Sequence, residues 1–265
     1  MKLDYYVCNP TGNITLLVDT QVIIFRHPEI AAGLMTFEET AEQVGFIFPG
    51  DDECDIKLRM AGGEFCGNAA MSAAGLFCHK EGLRESETRI VKIKVSGIKE
   101  VLDTKITRSA SGYEGQVKMP KPIKIKDELF KFEGRNYLYP LVNFDGISHI
   151  IIEDDMPIYM AENAIKSWCE YLKVPALGLM LLSKENTALN PLVYVKNSDT
   201  LFWESSCASG TSAVGAYMFQ KERKPVNLTL REPGGNLKVC VDKTGEIFLE
   251  GFVEIGELKT VEITK

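Results

Sequence analysis

The chain has 265 residues, 45% of them hydrophobic, with a formal net charge of −7 and a sequence pI near 5.2. That much apolar material suits one large domain or two of moderate size, and an acidic balance gives no general electrostatic footprint for nucleic acid or an anionic membrane. Residues 1–6 lack the apolar core of a signal peptide and no apolar run approaches the ~20 residues of a membrane span, so a cytoplasmic protein is expected.

In chain order, strands are expected over 3–8 and 14–18, joined by the turn-forming Asn9-Pro10-Thr11-Gly12-Asn13. Pro28 opens a helix whose apolar stripe runs Ile30, Leu34, Phe37 and Ala41. Strands follow over 43–48 and 56–60, then a helix over 67–79 that is rich in alanine, free of proline and stopped near Gly82. Strands over 89–95 and 100–107 lead to Ser109-Ala110-Ser111-Gly112, the best linker candidate. The stretch 118–131 reads as solvated strand and loop lysines around Pro120 and Pro122. A strand over 116–119 leads into it, and beyond it come strands over 137–144 and 148–153 and a helix over 161–172 with Ile165, Trp168, Cys169 and Leu172 on one stripe. Short strands over 177–182, 192–195 and 201–203 precede a second small-residue helix. Strands over 226–230, 237–241, 247–249 and 258–263, with a turn at Pro233-Gly234-Gly235, complete the chain.

The two small-residue helices carry the chemistry. Cys66 stands at the mouth of the first, where unpaired backbone N–H groups and the positive end of the helix dipole stabilise a thiolate. A single cysteine in an apolar stretch is more often inert core. Cys207 repeats the arrangement 141 positions later, again before a helix of alanine, serine and glycine and with an acidic residue upstream. A repeat over half the chain implies two similar lobes, each with one helix-capping thiol. Small residues on every face of a helix need close neighbours on every side, so a sheet curled around each helix is expected. The lobes are placed at 1–112, with a final strand near 257–265 returning to it, and at 113–256.

Seven cysteines without tight pairs suit reduced thiols, and three histidines (27, 79, 149) with no C-x-x-C spacing give no metal site. Gly62-Gly63 and Gly234-Gly235 lack the phosphate-cradle patterns, so no nucleotide cofactor is expected. Two thiols facing one carbon can remove a proton from one side of an amino-acid α-carbon and return one to the other, inverting it. Main-chain N–H groups at the two helix starts, around Gly67, Asn68, Ala208, Ser209, Gly210 and Thr211, are placed to hold the substrate carboxylate as charge spreads onto it.

Cys-Gly-Asn-Ala-Ala at 66–70, Ser-Cys-Ala-Ser-Gly-Thr at 206–211, Pro-Thr-Gly-Asn at 10–13 and Glu-Gln-Val-Gly-Phe at 42–46 resemble the pyridoxal-independent amino-acid racemases of the diaminopimelate epimerase fold, over nearly the whole chain. The resemblance implies an α+β fold of two pseudo-symmetric lobes, each a β-barrel around a central helix, with the active site between them, no cofactor, and a homodimer. With Lys-Val-Ser-Gly at 94–97 and Trp-Glu-Ser-Ser-Cys at 203–207, the chain looks most like the histidine racemases of opine-type metallophore synthesis. The same resemblance puts Asn13 and Gln43 where substrate-contacting amides fall, and His149 near the family's Asn-Pro-His position, although here the stretch is Ile-Ser-His. Glu204 is a candidate for orienting a substrate ammonium or imidazole.

Relatives differ at readable places. Diaminopimelate epimerases carry Glu-Arg-Gly before the second cysteine, whereas 200–206 here has no arginine; proline racemases have Cys-Gly-His at the first site; and the phenazine branch has an acid in place of Cys66. A diaminopimelate epimerase or a racemase of another amino acid remains the alternative within the class. Outside it stand a thiol redox protein, since activated thiols also attack disulfides, and a non-catalytic amino-acid-binding protein.

Overall fold

A computed structural model of the chain describes residues 1–263. Two compact units emerge, one of residues 1–118 with 250–265 and one of residues 119–249.

The first unit contains β1 (Lys2–Pro10), β2 (Thr15–Val18), α1 (His27–Phe37), β3 (Gln43–Pro49), β4 (Ile56–Met60), α2 (Gly67–Lys80), β5 (Thr88–Val95), β6 (Val101–Arg108) and β7 (Tyr113–Met119). The second contains β8 (Lys124–Phe132), β9 (Arg135–Asn143), β10 (Ser148–Ile152), α3 (Ile158–Leu172), β11 (Ala176–Leu182), β12 (Leu189–Val195), β13 (Thr200–Trp203), α4 (Ala208–Glu222), β14 (Val226–Glu232) and β15 (Gly235–Val241). The last strand, β16 (Ile247–Glu262), starts in the second unit and from Glu250 belongs to the first.

In the first unit the order β1-β2-β3-β4-β5-β6-β7-β16 closes on itself, because β1 also pairs antiparallel with β16 from Lys2↔Glu262 to Pro10↔Val253. The result is an eight-stranded barrel, which leaves no free sheet edge. Every residue of α2 from Gly67 to Leu76 is buried, and the helix packs against β1, β2, β4, β5 and β6. A helix can thread a barrel only if its side chains are small. A Cβ at Gly115 would sit 3.2 Å from Met71 of α2, so the strand side is trimmed as well. Outside the barrel, α1 lies on β3, with Ile30, Ala31 and Leu34 in one core with Leu3, Leu16, Val44 and Phe46.

In the second unit a six-stranded sheet, β13-β12-β11-β10-β9-β8, packs α3 against β8, β11 and β12 and α4 against β9, β10 and β11. Trp168 of α3, 1% exposed, sits among Phe130, Tyr139 and Tyr137. The β14–β15 hairpin also packs on α4. This enclosure is looser than the barrel expected of each lobe: sheet and hairpin meet at the isolated bridge Ala188↔Arg231. Among the described residues no helix is long and apolar enough to cross a membrane.

Four sequence expectations shift. The stripe through Phe37 and Ala41 overruns α1, because the Glu38 N–H bonds back to the Leu34 carbonyl and closes the helix; Phe37 is 57% exposed and Ala41 is buried in the following loop. The lysine-rich stretch contains β8, which pairs with β9 from Lys124↔Asn143 to Phe132↔Arg135. As an edge strand it buries Phe130 alone, which hides the usual alternation. Strands expected at 247–249 and 258–263 are one strand, β16, whose glycines and charged residues mask its continuity; a Cβ at Gly256 would lie 2.8 Å from the Val7 carbonyl oxygen, next to the irregular register of β1. β7 pairs with β6 and so joins the first unit, and the units divide at 118/119 and 249/250, within β7 and β16, instead of at 112/113 and 256/257.

Candidate active site

Cys66 is the N-cap of α2 and Cys207 the N-cap of α4. Both have extended backbones, φ −136° and ψ 117° for Cys66, φ −125° and ψ 100° for Cys207. Both thiols take the place of the usual capping oxygen: Cys66 Sγ accepts the Ala69 N–H and Cys207 Sγ the Gly210 N–H, each at 3.4 Å. N–H donation to sulfur favours the thiolate, so each cap has the geometry of an activated cysteine.

The loop ahead of Cys66 is held by the Lys-Val-Ser-Gly stretch. Ser96 Oγ donates to the Glu64 carbonyl at 2.7 Å and accepts the Met60 N–H at 2.9 Å. Gly97 has φ +82°, and a Cβ there would lie 2.3 Å from the Phe65 nitrogen. Only glycine lets the two segments approach so closely, which explains why that motif accompanies the first cysteine. Cys66 itself is half-buried, and Gly67 and Asn68 behind it are buried.

The same unit joins Asn13 and Gln43. Gln43 Nε2 donates to Asn13 Oδ1 and, at 2.9 Å, to Thr15 Oγ1, while Asn13 Nδ2 donates to the Glu42 carboxylate. These amides form one network at the starts of β2 and β3, with Glu42 and Thr15 as members the sequence reading did not single out.

In the second unit Cys207 is 5% exposed. Its thiol titrates well above the ordinary range, first because it is buried, then because Glu204 and Glu232 stand near it; the Ser209 hydroxyl works in the other direction. At this cap the helix terminus does not win, and Cys207 rests as the protonated thiol. Ser209 Oγ lies 3.6 Å from Cys207 Sγ and 3.0 Å from His149 Nε2. His149 is fully buried, and burial pulls it down to about 3, so the ring is neutral. Its Nδ1 has no hydrogen-bond partner among the described residues and faces Gly178, where a Cβ would lie 2.3 Å away. His149, expected as a substrate contact, thus reaches the thiol through Ser209.

Two of the expected carboxylate-binding donors are engaged inside the helix. Gly210 N–H goes to Cys207 Sγ and Thr211 N–H to the Cys207 carbonyl at 2.8 Å, whereas among the described residues no such bond engages the N–H of Ala208 or Ser209. Glu232 escaped the sequence reading. It ends β14, is 4% exposed, and accepts the Cys207 N–H at 2.7 Å and the Thr211 hydroxyl. An acid directly before Pro233-Gly234-Gly235 is too weak a signal to mark a partner 25 residues upstream.

Comparison with known proteins places the chain among amino-acid isomerases. A family model described as the histidine racemase CntK N-terminal domain matches residues 2–257. The histidine racemase of Fusobacterium nucleatum subsp. nucleatum is 35% identical over 264 residues, covering 96% of this chain and 94% of that protein. The histidine racemase of Staphylococcus aureus is 27% identical, covering 99% and 97%. Among solved structures, a hydroxyproline epimerase from Agrobacterium vitis with bound trans-4-hydroxy-L-proline superposes with a TM-score of 0.74 at 11% identity, covering 100% of this chain and 93% of that one. Fold and relatives together define an isomerase of the amino-acid racemase and epimerase class. Within that class, the chain belongs to the histidine racemase CntK family.

Proposed function

We propose that this enzyme interconverts L- and D-histidine without a cofactor, using Cys66 and Cys207 as a two-base pair. The observation that carries the reading is the matched capping of α2 and α4 by cysteine sulfur, in a chain 35% identical to a histidine racemase. In one direction the Cys66 thiolate takes the α-proton from one face and the Cys207 thiol delivers its proton to the other. In the reverse direction the roles exchange. The α-carbanion between these steps is the costly species. N–H groups of Gly67, Asn68, Ala208 and Ser209 are the donors we assign to the substrate carboxylate, where that charge is delocalised. Asn13 and Gln43 are assigned to substrate contact and Glu204 to the ammonium or imidazole.

The two units are read as pseudo-symmetric lobes of the diaminopimelate epimerase kind, the second closing less completely around its helix. A homodimer in the cytoplasm is the setting the family resemblance supports, and seven cysteines without tight pairs fit a reducing compartment.

Incubation with L-histidine in deuterated water is expected to give D-histidine carrying deuterium at the α-carbon, read by chiral separation and mass. A panel of amino acids in which none is inverted and none exchanges its α-proton would sink the assignment. Inversion of a different amino acid would keep the mechanism and replace the substrate.

A further inference from the structure

Glu232 is a buried carboxylate that the reaction as written does not use. Its two oxygens are both engaged at the start of α4: one accepts the Cys207 N–H at 2.7 Å, the other the Thr211 hydroxyl. The turn that follows is tied to the same place, since the Gly234 N–H donates to the Ser205 carbonyl at 2.7 Å. The end of β14 and the turn after it therefore hold the backbone at Ser205 and Cys207 and the side chain of Thr211.

Resting on the two-thiol reading, we propose that Glu232 is a positioning residue that holds Cys207 at the helix mouth and keeps its proton in place as the pH rises. A neutral amide could accept the Cys207 N–H equally well. What it could not do is offer a second anionic oxygen to Thr211 or place a charge behind the thiol. The ionisable groups around Cys207 are few: Glu204 from the segment after β13, Glu232 from β14, and His149 of β10, neutral and acting through Ser209. Neither carboxylate favours a thiolate.

The order of ionisation gives the charge its role. Burial lifts Glu232 to about 8, the two donated hydrogen bonds hold it down, and Glu204 adds a further push upward. Cys207, buried beside both acids, gives up its proton later still. Near neutral pH Glu232 is mostly protonated and does not oppose the brief Cys207 thiolate left after proton delivery. Towards alkaline pH it ionises first, and its charge then keeps the remaining proton on sulfur, where the reaction needs it. The pair titrates as a unit, with the carboxyl serving as a buffer for the acid form of the thiol.

The test is the titration of Cys207 in the full chain, followed by NMR of isotope-labelled cysteine with the Cys207 signal assigned by its loss in Cys207→Ser. Glu232→Gln is expected to lower the Cys207 midpoint by about one pH unit, a tenfold gain in thiolate at a fixed pH below it. The alkaline limb of kcat/KM should move down by the same amount, a change that a purely structural cap would not produce. Thr211→Val, which removes a donor that favours ionised Glu232, should move the midpoint in the same direction and serves if the glutamine variant does not fold. A midpoint unmoved in the folded variants overturns the proposal. Failure of the underlying reading looks different: Cys207→Ser would still racemise histidine, while the Cys207 midpoint would still respond to Glu232.

Discussion

Cys66→Ser and Cys207→Ser are each expected to lower histidine racemisation about 10²- to 10⁴-fold, the range a positioned acid or base contributes. Folding should survive, because serine is among the best N-cap residues and the hydroxyl can accept the N–H that the sulfur accepts now, from Ala69 in one helix and Gly210 in the other. The two variants should fail in different ways. With Cys66 intact and Cys207 replaced, one enantiomer still meets a base and exchanges its α-proton with solvent without inverting. With Cys207 intact and Cys66 replaced, that residual exchange belongs to the opposite enantiomer. Proton exchange measured separately on L- and D-histidine, with a thermal melt of each variant, checks both halves. Near-normal racemisation in either variant would refute the two-thiol mechanism.

The second large effect is on stability. His149 is lowered by burial from 6.5 to about 3, so the unfolded chain takes up a proton on acidification that the folded chain refuses. Stability from this group is complete above the unfolded value and is lost as the pH falls from about 6.5 towards 3. Between pH 7 and pH 5 the loss is about 2 kcal/mol. Glu232 has the opposite sign. Raised from 4.5 to about 8, it contributes fully below 4.5 and loses its contribution as the pH climbs through 8. The two slopes oppose each other over the shared window, so the unfolding free energy of the unmodified enzyme changes less there than either group alone would dictate. The clean measurement is a difference: urea unfolding of His149→Gln, which can still bond Ser209 but does not titrate, compared with the unmodified chain at pH 7 and pH 5. The gap between them should shift by about 2 kcal/mol against the unmodified chain on going to the lower pH. A constant gap would mean that His149 is hydrated or charged in the folded enzyme.

Much of this site was legible before any coordinates. Alanine, serine and glycine after a cysteine form a helix that tolerates close neighbours on all sides, so the two caps and the buried helices follow from local residue size and backbone preference. What escaped depends on partners distant in sequence. Glu232 acquires its meaning from a hairpin turn that returns to Ser205 and Cys207. His149 could be placed near the site from its motif, but its burial behind Ser209 comes from the packing of β10, where Gly178 makes room for the ring. β8 was obscured because an edge strand with a wet face carries lysines where alternation is sought. The second helix enclosure departs from the first for a reason no local pattern records: closure depends on which strands find each other.

The pairing of β1 with β16 has a consequence for how the molecule is made. Lys2 is matched with Glu262, so the barrel around α2 lacks one stave until β16 has left the ribosome. The segments that build residues 119–249 are all available earlier. Synthesis therefore exposes the nascent first unit with β1 and β7 as open edges, the state in which strands most readily pair with the wrong chain, and a frameshift or proteolytic nick after β15 would strand it there.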